Sequence, residues 1–452
     1  MQKIITKYGL AAHLAIVAIA PLLLSETAIL WVASLAVSGI LMEPSRVGAE
    51  MIHDARRRVA RNLLRDPLLW VCLVLTVVAA VRALNFGVAL TYDAEVAKWT
   101  LSSPRMQVLP GCVKGVGLQH FTLAFMALVL VMGCRHALGR SARSAFAMLA
   151  SLLGGGVAFW QLFAMRSDTQ ALIRMVSCPQ TDPTYLGPAY GICWLLGIAA
   201  LATVFERRWW RSLPLAILGI CGSALGLFCF SPPRLIVLYA GSGGLMLLYL
   251  FVYLRLKISK TADFRALVVW GMAMAFAAML AMLVVPDTVL QDKVAPFLTG
   301  EFLTDEFLAA RKALSRISFD VWRANPWLGT GLGSFDIDMN MLAGPSDWKV
   351  ITALQSAPLN GYWLILAERG VVGAFLLGVP LVILLATYVR RLIGGGRSLP
   401  HPLAWALPLL LVAVGVEMAI DGSPLLPQVL VPLLAAFAIS ANGFVKENGR
   451  NV

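Results

Sequence analysis

Apolar runs that alternate with short connectors constrain this chain more than any other feature of its sequence. A helix of about 20 apolar residues crosses the hydrocarbon core of a bilayer. Hydrophobic residues make up 59% of the chain and charged residues 13%, against roughly 25% charged in soluble proteins. We therefore expect an all-α polytopic membrane protein, with residues 1–452 forming a single integral membrane domain. The runs predict twelve transmembrane helices, near 8–24, 26–43, 67–85, 117–134, 144–164, 188–205, 213–230, 235–254, 266–285, 360–389, 403–420 and 424–442.

The basic residues predict the orientation of these helices. The formal net charge is +13, and Lys and Arg concentrate in alternate connectors, such as 44–66, 135–143 and 390–397. Such clustering is the positive-inside pattern of membrane proteins, so topology explains the charge and no nucleic-acid partner is expected. Both termini are then cytoplasmic. The first apolar run continues directly into a second, which argues against a cleavable signal peptide.

The remaining connectors lie on the outer side, and the largest of them is the loop 286–359 between the ninth and tenth helices. Thr304 followed by two acids resembles a helix N-cap, and Asn325-Pro326 predicts the end of that helix. Helical spacing gives this segment an apolar side and a basic side. The basic side suits anionic groups, although a solvated face or contact with lipid headgroups explains it equally well. The apolar side comprises Phe307, Leu308, Leu314, Ile317, Val321 and Trp322, and the other comprises Lys312, Arg316, Phe319 and Arg323.

A glycine-rich stretch, P-W-L-G-T-G-L-G at 326–333, follows the predicted helix. Backbone N–H groups of Gly329, Gly331 and Gly333 could approach a phosphate where no side chain intervenes. A tight turn that requires unusual backbone angles explains the same glycines. No strand precedes the stretch, so it is not a dinucleotide-binding fingerprint.

The cysteines and histidines predict no metal site. The seven cysteines contain no C-x-x-C pair and have no histidine at metal-ligand spacing. Cys112 and Cys178 both fall in predicted outer loops, where a disulfide between them and two free thiols are the alternatives. We expect no metal and no other cofactor.

Two motifs together resemble the O-antigen ligase and polymerase family of bacterial inner-membrane proteins. The first is Arg316 followed by W-R-A-N-P-W-L-G-T-G-L-G-S-F, and the second is N-G-Y-W-L-I-L-A-E-R-G-V-V-G from Asn360. S-P-P-R at 231–234 is similar to the family's Ser-Arg element at the start of a span. The family's large periplasmic loop late in the chain corresponds here to 286–359.

The resemblance implies glycan transfer at the periplasmic face. Members of the family move a glycan from an undecaprenyl-diphosphate carrier to a hydroxyl acceptor, which is a lipid or another glycan, without a metal. Such a site needs cations for the diphosphate and a base for the acceptor proton. The resemblance implies that the carrier and its glycan are held by a set of basic, glycine and tyrosine residues. They are Arg174, Arg234, Arg316, Arg323, Gly329, Gly331, Gly333 and Tyr362. Arg166 is an equal alternative to Arg174, since neither lies in a motif that aligns with the family.

The chain departs from the family at the residue before Asn360. The family motif usually begins His-Asn, whereas this chain has Leu359, and leucine cannot accept a proton. The predicted loop contains no histidine. Besides Asn360 itself, we consider carboxylates as substitute bases, of which Glu368 matches an acidic position of the family. Packing against an arginine such as Arg369 or Arg316 is the alternative role for Glu368. The other candidates are Asp336, Asp338 and Asp347.

Two other functions compete with transfer. A divergent member that lacks its base could bind a lipid-linked glycan without reacting it. A transporter or flippase would need polar residues along a path through the helices, and Arg82 is the clearest charge inside a predicted span. That scarcity disfavours transport.

Overall fold

The computed structural model describes most of the predicted helical segments. The ranges described are 2–22, 66–88, 90–93, 98–101, 112–113, 116–138, 140–166, 186–257, 305–342, 344, 360–394, 401–420, 425 and 427–440. The predicted runs near 26–43 and 266–285 lie outside these residues, as does much of the loop 286–359.

Helices form most of the described structure. In the first half they are α1 (Gln2–Ile19), α2 (Pro67–Leu84), α3 (Val116–Leu130), α4 (Arg140–Arg166), α5 (Gly187–Glu206), α6 (Leu213–Phe230) and α7 (Pro233–Lys257). In the second half they are α8 (Asp305–Ala324), α9 (Phe335–Leu342), α10 (Gly361–Gly394), α11 (Pro402–Ile420) and α12 (Pro427–Ser440). Helix α3 continues as a π-helical segment, Val131–Ala137, and short 3₁₀ turns occupy Ala20–Leu22 and Trp210–Ser212.

Four short strands lie between α2 and α3, in a segment that we had predicted only as an outer loop. They are β1 (Phe86–Val88), β2 (Leu90–Asp93), β3 (Lys98–Leu101) and β4 (Cys112–Val113). β2 and β3 pair antiparallel, and β1 and β4 pair in parallel. Alternation such as that of Leu90-Thr91-Tyr92 suits a strand, but three or four residues give too short a pattern to recognise in advance.

The apolar helices have the dimensions of membrane spans. Among the described residues, seven helices are long and apolar enough to cross a membrane, and three shorter apolar helices accompany them. This length and composition indicate a membrane protein. Ten of the twelve predicted runs coincide with described helices. The seven longer helices are Val116–Arg135, Ser141–Phe163, Gly187–Glu206, Trp210–Phe230, Pro233–Leu256, Gly361–Arg390 and Pro402–Ala419.

Helix α5 lies at the centre of the bundle. Nearly all of its residues from Gly187 to Phe205 are buried, because α4, α6, α7, α11 and α12 all contact it. Helices α4 and α6 approach closely through glycines: a Cβ on Gly155 would lie 2.9 Å from the carbonyl oxygen of Gly219. Small residues at such crossings let helix backbones approach within a membrane.

The amphipathic helix predicted after Thr304 is present as α8. Leu314, Ile317 and Val321 are buried, while Lys312 and Arg316 on the opposite side are exposed, as the helical spacing predicted. The buried side forms a small core with Phe335 of α9 and Ala367 of α10. This core fixes the segment 305–342 on one end of α10.

Candidate functional site

The two motifs that carry the family resemblance fold into one unit. The segment that joins α8 to α9, from Pro326 to Ser334, is called the glycine turn below. It lies against a kink in α10 at Gly370, whose φ of 63° and ψ of −172° are not helical. The kink opens the helical hydrogen-bond ladder, and the glycine turn fills the opening.

Four backbone hydrogen bonds join the glycine turn to the kink. The N–H groups of Thr330 and Gly331 donate to the carbonyl oxygens of Ala367 and Glu368, at 3.0 and 3.1 Å. In return, the N–H groups of the two valines that follow Gly370 donate to the turn. Val371 donates to Pro326 at 2.9 Å and Val372 to Trp327 at 3.1 Å. The carbonyl and amide groups freed at the kink are therefore satisfied by the turn.

The glycines of the turn are needed for its conformation and for its closeness to α10. Gly329, Gly331 and Gly333 all have positive φ, at 73°, 124° and 74°. A Cβ on Gly329 would lie 2.4 Å from the backbone nitrogen of Arg369. Their N–H groups point into the fold rather than toward a ligand: Gly329 donates to Asn325, Gly331 to Glu368, and Gly333 to the Glu368 side chain. The geometry thus favours the tight-turn interpretation over a phosphate cradle.

Glu368 holds the glycine turn in place. Its side chain is 8% exposed, and its Oε1 accepts the N–H of Gly333 at 3.0 Å. The carboxylate is also attracted to the guanidinium groups of Arg82 and Arg369. These contacts fit the structural role that was the alternative to catalysis, with Arg369 as one of the charges beside it.

Asp338 lies directly beyond the turn, in α9. Burial raises the pKa of Asp338 above its usual value, and the nearby hydroxyl groups of Thr330 and Ser334 oppose that shift. Its Oδ2 is buried and makes no hydrogen bond to any described residue. Asp336 lies in the same helix, but its side chain is outside the described structure, as is the whole of Asp347.

Asn360 and Tyr362 anchor the start of α10 to α11. The Asn360 Oδ1 accepts the N–H of Tyr362 at 3.0 Å, as an N-cap does, and its Nδ2 donates to the carbonyl of Ala419 at 2.9 Å. The Tyr362 hydroxyl donates to the carbonyl of Gly415 at 2.9 Å. These contacts position the two helices relative to each other.

The structure describes three of the four predicted arginines, two in α8 and one in α7. Arg316 and Arg323 are exposed on α8. Arg234 is half-buried in the first turn of α7, a helix that packs against α5 and α11. Arg174 lies outside the described residues. Their convergence on one carrier stays a prediction.

A cavity of about 160 Å³ lies beneath the glycine turn, between α2, α3, α10 and α12. Eleven of its sixteen lining residues are Leu, Val or Ala, and the four helices contribute ten of these. Its polar lining residues are Arg82, His120 and Arg369, and Leu332 brings the glycine turn to the same end. The cavity therefore has hydrocarbon walls and a basic end.

The basic end contains a histidine bound to an arginine. The Arg369 Nη2 lies 3.0 Å from the Nδ1 of His120. A guanidinium can only donate, so this nitrogen of His120 is the acceptor and the proton of the neutral ring is on Nε2. Nε2 and the Arg82 guanidinium make no hydrogen bond to any described residue.

This group of residues was not predicted from the sequence. Arg82 was noted only as a charge within a span, and His120 was not considered, because a base was sought only in the outer loop and at the start of α10. One signal was available: polar residues at membrane depth are costly and usually functional. Their partner Arg369 lies in the second motif of the resemblance, where only the neighbouring Glu368 was considered as a functional residue.

Cys112 carries a free thiol at the edge of the cavity's basic end. It is buried, and its Sγ lies 3.1 Å from the carbonyl oxygen of Arg82 as a hydrogen-bond donor. Burial raises the pKa of this thiol. Cys178 lies outside the described residues, so the structure agrees with the free-thiol alternative only for Cys112.

Within the described part, no three His, Cys, Asp or Glu side chains are grouped as metal ligands.

Comparison with known proteins finds no protein-family model that matches the chain and no curated protein that is similar to it.

Proposed function

We propose that the chain is a glycan transferase of the O-antigen ligase and polymerase type, in the bacterial inner membrane with both termini cytoplasmic. It moves a glycan from an undecaprenyl-diphosphate carrier to a hydroxyl acceptor at the periplasmic face. One observation carries this proposal. The glycine turn and the Asn360–Gly373 motif, the two elements of the resemblance, are joined by four hydrogen bonds into one unit.

The reaction assigns distinct tasks to the site. The acceptor oxygen forms a bond to the anomeric carbon as the bond from that carbon to the diphosphate oxygen breaks. The acceptor loses its proton to a base, and the lipid diphosphate leaves with the negative charge. Arginines stabilise that charge, since their paired N–H groups match phosphate oxygens. Arg234 and Arg316 are the arginines that the resemblance assigns to the carrier.

Asp338 is the best supported substitute for the family's histidine. A general base works best when its pKa is close to the working pH, and burial raises the pKa of Asp338 in that direction. Glu368 is less suitable, because the Gly333 N–H and two guanidinium groups all favour its ionised, hydrogen-bonded form. Asp336 remains a candidate by its place in α9.

Transfer from a synthetic polyprenyl diphosphate that carries a fluorescent oligosaccharide tests the proposal. The protein is assayed in membrane vesicles from its host, which supply the acceptor. Arg234→Ala should abolish transfer, and Arg234→Lys should restore it only in part, because lysine lacks the two-pronged geometry. Arg255→Ala is the matched control, since Arg255 is exposed at the other end of the same helix.

Transfer by Arg234→Ala at the wild-type rate would remove the assigned role of Arg234. Leu359 favours a second function, a protein that binds the lipid-linked glycan without reacting it. Wild-type protein that binds the probe but never transfers its oligosaccharide would establish that alternative.

A further inference from the structure

The cavity beneath the glycine turn has the chemistry of a lipid-phosphate site. We propose that it binds the phosphate end of an isoprenoid lipid, with Arg82, His120 and Arg369 as the phosphate donors. The inference deepens the proposed function, on which it rests for the choice of an isoprenoid as the lipid. The residues involved are separate from the arginines that the resemblance implied.

The charge at the basic end calls for an anion. Arg82 and Arg369 contribute two positive charges, and Glu368 contributes one negative charge that both share. His120 is neutral in the tautomer that its contact with Arg369 requires. Among the described residues, one positive charge is therefore left over beside apolar helices, where uncompensated charge is costly. A phosphate would compensate it.

The hydrogen-bond donors at this end fit phosphate oxygens. The Arg82 guanidinium and the His120 Nε2–H both belong to residues that line the cavity, and neither donates to a described residue. Contact with Arg369 fixes the His120 ring, so its free N–H is held in one place. Two arginines and a fixed imidazole donor suit an acceptor with several oxygens.

The rest of the cavity fits a hydrocarbon chain. Helix α2 contributes Leu75, Val78 and Ala79, and α10 and α12 contribute two leucines each. A cavity of this volume, about 160 Å³, holds a group of roughly benzene size. It therefore holds about one isoprene unit, so the phosphate must lie at its edge against the basic end, and the remaining chain must leave between the helices toward the lipid. The glycine turn covers the basic end through Leu332.

Binding of short isoprenoid probes to the full-length protein in nanodiscs tests this inference. The probes are farnesyl phosphate, farnesyl diphosphate, farnesol and inorganic pyrophosphate. We expect the two phosphorylated isoprenoids to bind, and farnesol and pyrophosphate to bind at least tenfold more weakly. Equal binding of farnesol would show that the basic end plays no part. Equal binding of pyrophosphate would show that the ligand is a free phosphate compound instead of a lipid.

Substitutions then locate the site. Arg82→Gln should weaken farnesyl phosphate binding by about 10- to 100-fold, as expected for loss of a charge-assisted hydrogen bond. Arg390→Gln is the matched control, because Arg390 is exposed near the far end of α10 and its removal changes the net charge equally. Equal losses in the two variants would mean that only general electrostatic attraction is involved.

His120 separates hydrogen bonding from folding. His120→Phe should weaken farnesyl phosphate binding, while His120→Gln, whose amide can still donate, should retain most of it. Ala79→Leu should weaken the binding of both phosphorylated isoprenoids, because the larger side chain would occupy part of the cavity. Normal binding by His120→Phe and Ala79→Leu would place the lipid elsewhere. Such a result would leave the transfer assay with Arg234 unaffected, so the two proposals can fail separately.

Discussion

The contact between the glycine turn and the kink of α10 predicts the effect of Gly370→Ala. Gly370 combines φ of 63° with ψ of −172°, a region of backbone conformation that is essentially restricted to glycine. A Cβ there would lie 2.4 Å from both the carbonyl carbon and oxygen of Trp327 and 2.6 Å from the nitrogen of Gly329. All three are backbone atoms, so no side-chain rotation relieves the overlap.

The variant must therefore separate the turn from the helix. Separation breaks four backbone hydrogen bonds, each worth about 1 kcal/mol, so the attachment weakens by about 4 kcal/mol. If the kink is kept, backbone strain adds about 1–3 kcal/mol. Because 1.4 kcal/mol is tenfold in an equilibrium, the population of the detached turn should rise by about three orders of magnitude.

Hydrogen exchange measures this directly. In Gly370→Ala, the amides of Thr330, Gly331, Val371 and Val372 should lose protection together. The matched control is Gly378→Ala in the same helix, where a Cβ meets no atom within 4 Å and helix propensity favours alanine. If exchange at Thr330 and Gly331 is unchanged in Gly370→Ala, the turn does not depend on the kink and the reasoning is wrong.

Two further substitutions test the side chains around the turn. Burial raises the pKa of Asp338 above 3.8, so ionising this carboxyl group at neutral pH lowers the stability of the folded protein. Below about pH 4, the melting temperature of Asp338→Asn should equal that of the wild type. As the pH rises through the folded-state pKa of Asp338, the variant should melt at an increasingly higher temperature than the wild type. A difference that does not change with pH would contradict the burial argument. Asn360→Ala should lower the free energy of unfolding by about 1–2 kcal/mol through loss of the N-cap and the Ala419 bond, whereas Asn360→Asp, which can still cap, should lose less. Equal losses in the two Asn360 variants would show that capping contributes nothing.

Periodicity predicted the helices of this chain because burial in a membrane leaves a long, simple signal. Helix α8 was predicted together with its buried and exposed sides, since residues spaced by three or four recur on one face. The strands between α2 and α3 carried no comparable signal, because each spans four residues at most. The kink at Gly370 was also beyond periodicity, since the helical pattern of apolar residues continues through it.

The local structure around the candidate site was predicted only in part, for a related reason. The glycines were recognised as unusual, and both explanations offered for them were local, a cradle or a turn. Their actual requirement is a contact with Glu368, more than thirty positions away: its carbonyl oxygen accepts the N–H of Gly331 and its side chain accepts the N–H of Gly333, two of the amides that a cradle would need. A glycine in the sequence indicates that unusual backbone angles are possible, but it does not identify the neighbouring residue whose contact requires them.

His120 illustrates the same limit for side chains. Read along α3, it is one polar residue in an apolar helix and has no visible partner. Its role depends on Arg369, which donates to the Nδ1 of His120. This contact fixes the tautomer of the ring and leaves the Nε2–H as the donor available at the cavity. Arg82 reaches the same cavity from a third helix. Because three separate spans each contribute one polar residue, no single stretch contains a motif, and only the packing of the helices reveals a basic site.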